Sequence, residues 1–237
     1  MKLYPICFTV LTFFSSCIGP YALQHSLNEN KVPLCYTFDS QIDSLKTDCK
    51  IYLKVIDNLR LNDTTKVTGD GFLVIPLIVA GGYKYDFTVT LGKNSVQPSF
   101  PEFIYDSFVT EANRSGDFFI KKRAFRSDYI VEMTLLNCTV STQYHKDRIR
   151  YAHYSRENWI LKPITGTFSI AVRLLHKKEV VFSNIYTSTK SSQGEIQKFE
   201  SGAEMNRTMM AEFATTVSLE IKEIVESSIQ DINKRII

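Results

Sequence analysis

The sequence predicts an α+β fold, a mainly antiparallel sheet backed by two helices at about residues 101–115 and 203–233, and three patterns predict it. Residues 83–91 alternate, with Tyr83, Tyr85, Phe87, Val89 and Leu91 on one face and Lys84, Asp86, Thr88 and Thr90 on the other. That period of two marks a half-buried strand. Phe103, Ile104, Phe108 and Ala112 recur at helical spacing ahead of Gly116, the pattern of a helix closed by a glycine cap. Met210, Phe213, Val217, Ile221, Ile224 and Ile232 form a long apolar stripe near the C-terminus, with Glu212, Glu220, Lys222 and Glu223 assigned to other faces. A helix of that kind covers a sheet.

The first residues set an address. Met1 and Lys2 are followed by an apolar run over residues 3–14, then Ser15, Ser16 and Cys17, the layout of a cleaved export signal over residues 1–16. Thr9, Thr12, Ser15 and Ser16 interrupt the run, and a membrane-spanning helix needs about 20 predominantly apolar residues. Phe14-Ser15-Ser16-Cys17 resembles the bacterial lipobox, with Phe in place of the usual Leu and Cys17 as the lipid attachment point. Acyl chains add about 0.8 kcal/mol of membrane affinity per buried CH₂. The alternative is an ordinary secretory signal cut near Gly19 or Ala22. Residues 17–33 show no periodicity and read as a tether between lipid and domain.

Residues 34–237 form a single α+β domain in this reading, with 34–82 as an N-terminal extension of the sheet. The 237 residues are 44% hydrophobic and 22% charged, which suits one core of ordinary composition. Removing residues 1–16, and Lys2 with them, leaves 27 basic groups against 25 acidic. So even a balance provides no global field to attract nucleic acid. Residues 50–56 are rich in β-branched and aromatic side chains and predict a strand, followed by turn chemistry over 58–65. Residues 72–80 are apolar but contain Pro76, which suits a buried edge or crossover. Pro98 and Pro101 introduce the first helix. Residues 118–120, 129–140 and 168–175 are further strand candidates, and 180–186 completes a hairpin through the charged turn 176–179.

Export permits a disulfide. Cys35 and Cys49 bracket a polar stretch and are the candidate pair, closing a loop of about 15 residues worth roughly 3 kcal/mol in the chain-entropy model; two free thiols are the alternative. Cys138 reads as a buried free thiol. Four glycosylation sequons begin at Asn62, Asn113, Asn137 and Asn206 and suit a secreted structural glycoprotein, a reading set aside because two fall at an expected helix end and buried strand.

Catalytic and metal motifs are sparse. His25, His145, His153 and His176 lack metalloprotease spacing and are expected at the surface, and no cysteine pair has zinc-knuckle spacing. No metal and no cofactor is expected. Gly69-Asp70-Gly71 lacks the residues and helix of a phosphate loop and reads as a turn, while Asp39, Asp43 and Asp48 read as loop acids. The segment 143–162 stands out by combining Tyr144, Tyr151, Tyr154 and Trp159 with Lys146, Arg148, Arg150, Arg156 and Lys162. Aromatics beside arginine suit a protein interface, making Tyr144, Arg148, Arg150, Tyr151, Tyr154 and Trp159 the candidate partner-binding residues. A long solvated hairpin with snorkelling side chains is the structural alternative.

The order of strand, helix, short strand, Asp-Tyr strand, hairpin and C-terminal helix resembles the lipoprotein families typified by YajG and the ABC-type transport auxiliary components. Residues 87–92, Arg114-Ser115-Gly116-Asp117-Phe118 and residues 128–135 carry the resemblance, which spans about 83–229. It implies a small sheet backed by helices, attachment to the outer membrane, and a part in envelope assembly or transport. It supplies no catalytic residue. The chain departs from it in the insertion between Tyr144 and Pro163 and in the strands before residue 80. The expected function is a lipid-anchored protein on the periplasmic face of the outer membrane that binds another envelope protein or complex, not nucleic acid, through the sheet edge or residues 144–162. An envelope hydrolase is the competing expectation.

Overall fold

The computed structural model describes residues 18–36, 48–74, 80–115, 118–151, 154–192 and 196–236; in the strand and helix segments 18–23, 70–74, 80–83, 149–151 and 154–155 it describes backbone alone. Its elements are α1 (Ile18–Glu29), β1 (Val32–Pro33), β2 (Lys50–Asp57), β3 (Lys66–Val74), β4 (Ala80–Thr90), β5 (Val96–Gln97), α2 (Phe100–Ser115), β6 (Phe119–Ile120), β7 (Tyr129–Tyr151), β8 (Tyr154–Leu161), β9 (Thr165–His176), β10 (Glu179–Ser191), β11 (Gln197–Phe199) and α3 (Gly202–Ile236). The fold is α+β, as the sequence predicts.

A single strand, β7, organises the sheet. Its 23 residues pair along one side with β8 and then β9, both antiparallel. On the other side its first half pairs parallel with β2 and its second half antiparallel with β4. β10, β11, β3 and β6 extend the flanks. A bulge between Leu135 and Asn137 explains how so long a strand stays half-buried. Before it the inward residues are Val131, Met133 and Leu135; after it they are Cys138, Val140, Thr142 and Tyr144. One inserted residue changes the phase of the alternation, leaving Leu136 39% exposed.

The helices gather on one face. α3 contacts β8, β9 and β10, and α2 packs on β2 and α3. Met205, Met209, Phe213, Val217, Ile221, Ile224, Val225, Ile229 and Ile232 of α3 are buried against Phe168, Ile170, Val172 and Leu174 of β9 and the inward row of β7. The opposite face is polar: Thr167 and Ser169 meet Thr189 and Thr187 at 3.3 and 2.9 Å, and Glu132 joins Lys54 and Arg173 at 3.2 and 3.6 Å. Helices on one face and hydroxyls or ion pairs on the other is how an antiparallel sheet lives half in water. The β9–β10 turn is the expected tight one; Lys177 and Lys178 take positive φ of 51° and 74°, as a two-residue hairpin turn requires.

Several expectations are corrected. The stretch read as a tether belongs to the body: α1 is helical, Leu27 and Val32 are fully buried, and β1 pairs with β5. Its polar residues hold the fold, since Asn28 Oδ1 accepts Thr65 N–H at 2.8 Å and the Ser95 hydroxyl at 2.9 Å. Residues 50–57 form β2, which joins the sheet between β6 and β7. Gly69-Asp70-Gly71 is no turn but mid-strand in β3, with Gly69 opposite Phe87. A Cβ on Gly69 would collide with the Phe87 ring, so the glycine leaves room for that ring. Pro76 lies outside the described residues.

Cys35 and Cys49 are both free. Tyr36, beside Cys35, donates to Glu111 of α2 at 3.2 Å, while the Cys49 carbonyl accepts Phe119 N–H at 2.9 Å. Each segment is thus fixed to a different element, Cys35 exposed and Cys49 half-buried, and burial pushes the Cys49 thiol up to about 11. Cys138 is a buried free thiol, as expected.

Gly92 gives a direct test of the junction between α1, β3 and β4. Its N–H donates to Thr65 Oγ1 at 3.1 Å, and a Cβ there would overlap the Thr64–Thr65 backbone, which cannot turn aside as a side chain can. Gly92→Ala is expected to cost about 1–3 kcal/mol, read as a drop in Tm of roughly 3–10 °C in thermal unfolding. An unchanged Tm contradicts the close approach.

Candidate functional site

The segment chosen from sequence forms the outer half of the β7–β8 hairpin, and its aromatics serve the hairpin itself. Tyr144 is 1% exposed and stacks on Phe87 at 4.6 Å between ring centroids, with Trp159 6.0 Å beyond. Burial pushes the Tyr144 phenol well above its usual range. Trp159 is half-buried, lies under Gly202 at the start of α3, and carries the Lys146 ammonium 4.3 Å from its ring centroid. Arg148 lies 3.3 Å from Glu157 on the neighbouring strand. Tyr144 is therefore corrected from binding residue to core residue, and Trp159 and Arg148 have intramolecular partners. Arg150, Tyr151 and Tyr154 sit at the hairpin tip by strand register; their side chains lie outside what is described, as do Cys17, Asp39, Asp43 and His153.

The histidines do not converge among the described residues. His25 pairs with Glu29 on α1, His145 with Asp86 across the polar sheet face at 3.1 Å, and His176 contacts the Asp128 carbonyl. His145 and His176 are half-buried, not free at the surface as expected. No group of three or more His, Cys, Asp or Glu suited to a metal occurs among the described residues.

A groove of about 670 Å³ runs beside α3, lined by Lys190, Ser192, Glu212, Leu219, Glu223 and Glu226 among others. Its charges are matched internally. Glu223 takes the Lys190 ammonium at 2.7 Å and the Ser188 hydroxyl at 2.8 Å, and these two hold its carboxyl below the usual range. Glu212 accepts from Ser192 at 3.2 Å and Gln197 at 2.5 Å. Such a lining presents hydroxyls and neutralised pairs to a ligand, and among the described residues no histidine lines the groove beside its serines to act as a base.

Beneath this groove lies Glu220, which the sequence assigned to another face than the stripe and which is 0% exposed. Its Oε1 accepts Lys190 N–H at 2.7 Å, and among the described residues Oε2 has no hydrogen-bond partner. Gly166 on β9 supplies the space, since a Cβ there would stand 2.7 Å from the carboxylate. Burial pushes the Glu220 carboxyl up to about 7, against the smaller opposing pull of the Lys190 N–H and charge. The proton held in the folded state favours folding below the unfolded value of 4.5, and this advantage is lost as pH rises through about 7. Glu220→Gln should therefore raise Tm over the wild type at pH 8 and lose that lead at pH 4.5. A difference between the two proteins that does not change with pH would contradict the assignment.

β10, read from the sequence only over 180–186 as the second strand of a hairpin, is a long edge strand. Among the described residues it pairs with β9 alone; it runs 13 residues and exposes Val180, Val181 and Ile185, the last at 60%. The signal was present in the alternation of residues 181–189, but that pattern does not say whether the flank beyond the strand is occupied.

A two-layer α+β domain with a free sheet edge is the class these features define. No family model matches the chain, and no curated protein matches it. Among solved structures, the chain is similar to protein XCC0632 from Xanthomonas campestris, described with the family model DUF330, at 15% identity and a TM-score of 0.47, covering 86% of this chain and 95% of that one.

Proposed function

We propose that this chain is an exported lipoprotein, held by acyl groups on Cys17 at the periplasmic face of the outer membrane, whose domain binds another envelope component along the β10 edge and works by binding, not catalysis. One observation carries the binding part: β10 offers an edge of 13 residues with backbone groups on its outer side beyond the β9 ladder, and with Ile185 exposed at its middle. An edge of that length is usually shielded by charge, proline or a covering element. Between Glu179 and Lys190 the strand holds no charged residue and no proline, which suits addition of a partner strand. The anchor part rests on the basic, apolar and Ser-Ser-Cys order of residues 2–17.

Two measurements test the halves separately. Cys17→Ala should abolish incorporation of labelled palmitate, and incorporation that persists removes the anchor. Ile185→Lys places a charge at the centre of the edge without touching the core. It should lower capture of the partner after mild detergent extraction at least tenfold while leaving Tm unchanged. Undiminished capture removes β10 from the interface.

A secreted glycoprotein keeps a specific argument in its favour, because Asn62, Asn113 and Asn137 are all exposed. Burial gives no ground for discounting them. Glycan mass on the native protein, in place of acyl chains, would decide for that reading.

A further inference from the structure

Residues 119–126 read Phe-Ile-Lys-Lys-Arg-Ala-Phe-Arg and join β6 to the start of β7. Four cations and no acid fall in eight residues. The whole chain has 28 basic and 25 acidic groups; without these four it has 24 against 25. The entire positive excess of the molecule therefore sits in this one loop. Among the described residues none of Lys121, Lys122, Arg123 and Arg126 forms an ion pair. The following acid, Asp128, is engaged by the Lys50 N–H at 2.9 Å.

The same loop carries two of the most exposed large apolar side chains, Phe125 at 73% and Phe119 at 53%. Arg123 and Arg126 lie 5.9 and 5.4 Å from the centre of the Phe125 ring, and Lys121 lies 5.8 Å from that of Phe119. The support is ordered: Phe119 and Ile120 pair with β2, Lys121 N–H reaches the Ile51 carbonyl at 2.7 Å, and residues 124–126 form a 3-10 turn closed by Ser127 N–H on the Ala124 carbonyl. Burying the core asks for none of this exposure.

We propose that residues 119–126 are a docking patch for the surface of an anionic phospholipid bilayer. Rings that project beyond the fold enter the boundary between headgroups and acyl chains, and the cations ranged around them meet lipid phosphates at the depth where those phosphates lie. Each cation near such a surface adds about 1 kcal/mol, or roughly fivefold in affinity. A nucleic acid or acidic protein would also attract the charge, but neither accounts as well for two phenylalanines exposed beside it. The loop adjoins the start of β7 at residue 129, whereas α1 packs beside β3, which is joined through β4 to the second half of β7. The patch is thus a surface apart from the α1 end, and the proposal does not rest on lipid at Cys17.

The test uses the full chain carrying Cys17→Ala, so that acyl groups play no part, and sedimentation with vesicles of phosphatidylcholine alone or with 30% phosphatidylglycerol. Binding should favour the anionic vesicles, and Lys122→Gln with Arg123→Gln should weaken it roughly twentyfold. Phe125→Ser should remove the binding that survives in 0.5 M salt, an effect that charge alone does not produce. Both variants should keep the native Tm, since all three side chains are exposed. Equal binding to the two vesicle types, or loss in neither variant, overturns the proposal. So does tight capture of a single-stranded oligonucleotide or an acidic peptide without binding to anionic vesicles.

Discussion

The structure depends on β7 keeping one face dry along its whole length while its neighbours change. The parallel β2 and antiparallel β9 flank its first half, and the antiparallel β4 and β8 flank its second. The exchange occurs around residues 140–144, where Leu91 N–H bonds the Val140 carbonyl and Thr142 Oγ1 donates to the Lys162 carbonyl at 2.7 Å. Val140, Thr142 and Tyr144 are buried there. Without the bulge at Leu136 the second half would turn its apolar row to water, because a shift of one residue inverts a strand's faces.

That constraint explains why the helices all lie on one side. α3 spans 35 residues and covers β9 and β10 while its start reaches the Trp159 region of β8. Small residues let it lie close: Gly202 meets the Trp159 ring and Gly166 receives the Glu220 carboxyl. A carboxyl buried with one oxygen unpaired is costly when ionised, and the upward push on Glu220 is the molecule's response. The opposite face, lined by hydroxyl pairs and the Lys54–Glu132–Arg173 cluster, needs no cover.

The fold class and the two main helices were legible because their periodicities are uninterrupted. Residues 83–91 alternate cleanly and the α2 stripe is regular, so local pattern and tertiary role agree. β7 was legible only to residue 140, because further on Tyr144, Lys146 and Arg148 share one face, a mixture that reads as a surface. The same mixture misled the search for a site. Aromatic beside cation is also what a hairpin uses when it packs a tyrosine inward and lays a lysine over a tryptophan. α1 was missed because Asn28 and its polar neighbours look like a linker, although Asn28 accepts from the Thr65 backbone and the Ser95 hydroxyl and so ties α1 to the sheet. The free β10 edge was hidden because strand order does not appear in a single strand's pattern.

The two surfaces proposed for binding lie where the sheet runs out of neighbours. The outer edge of β10 and the loop after β6 are at its margins, and although β10 lends Phe182 and Tyr186 to the core, Ile185, Phe119 and Phe125 point away from it. Their rigidity derives from β7, directly through β9 for one and through β2 for the other. Native-state hydrogen exchange tests this dependence most directly. The account predicts that the amides of Val140, Thr142 and Tyr144 exchange as slowly as those of Val131 and Met133, through a single global opening with one denaturant dependence. A separate, lower-energy opening of residues past 141 would show that the two halves of β7 are independent units and contradict the account.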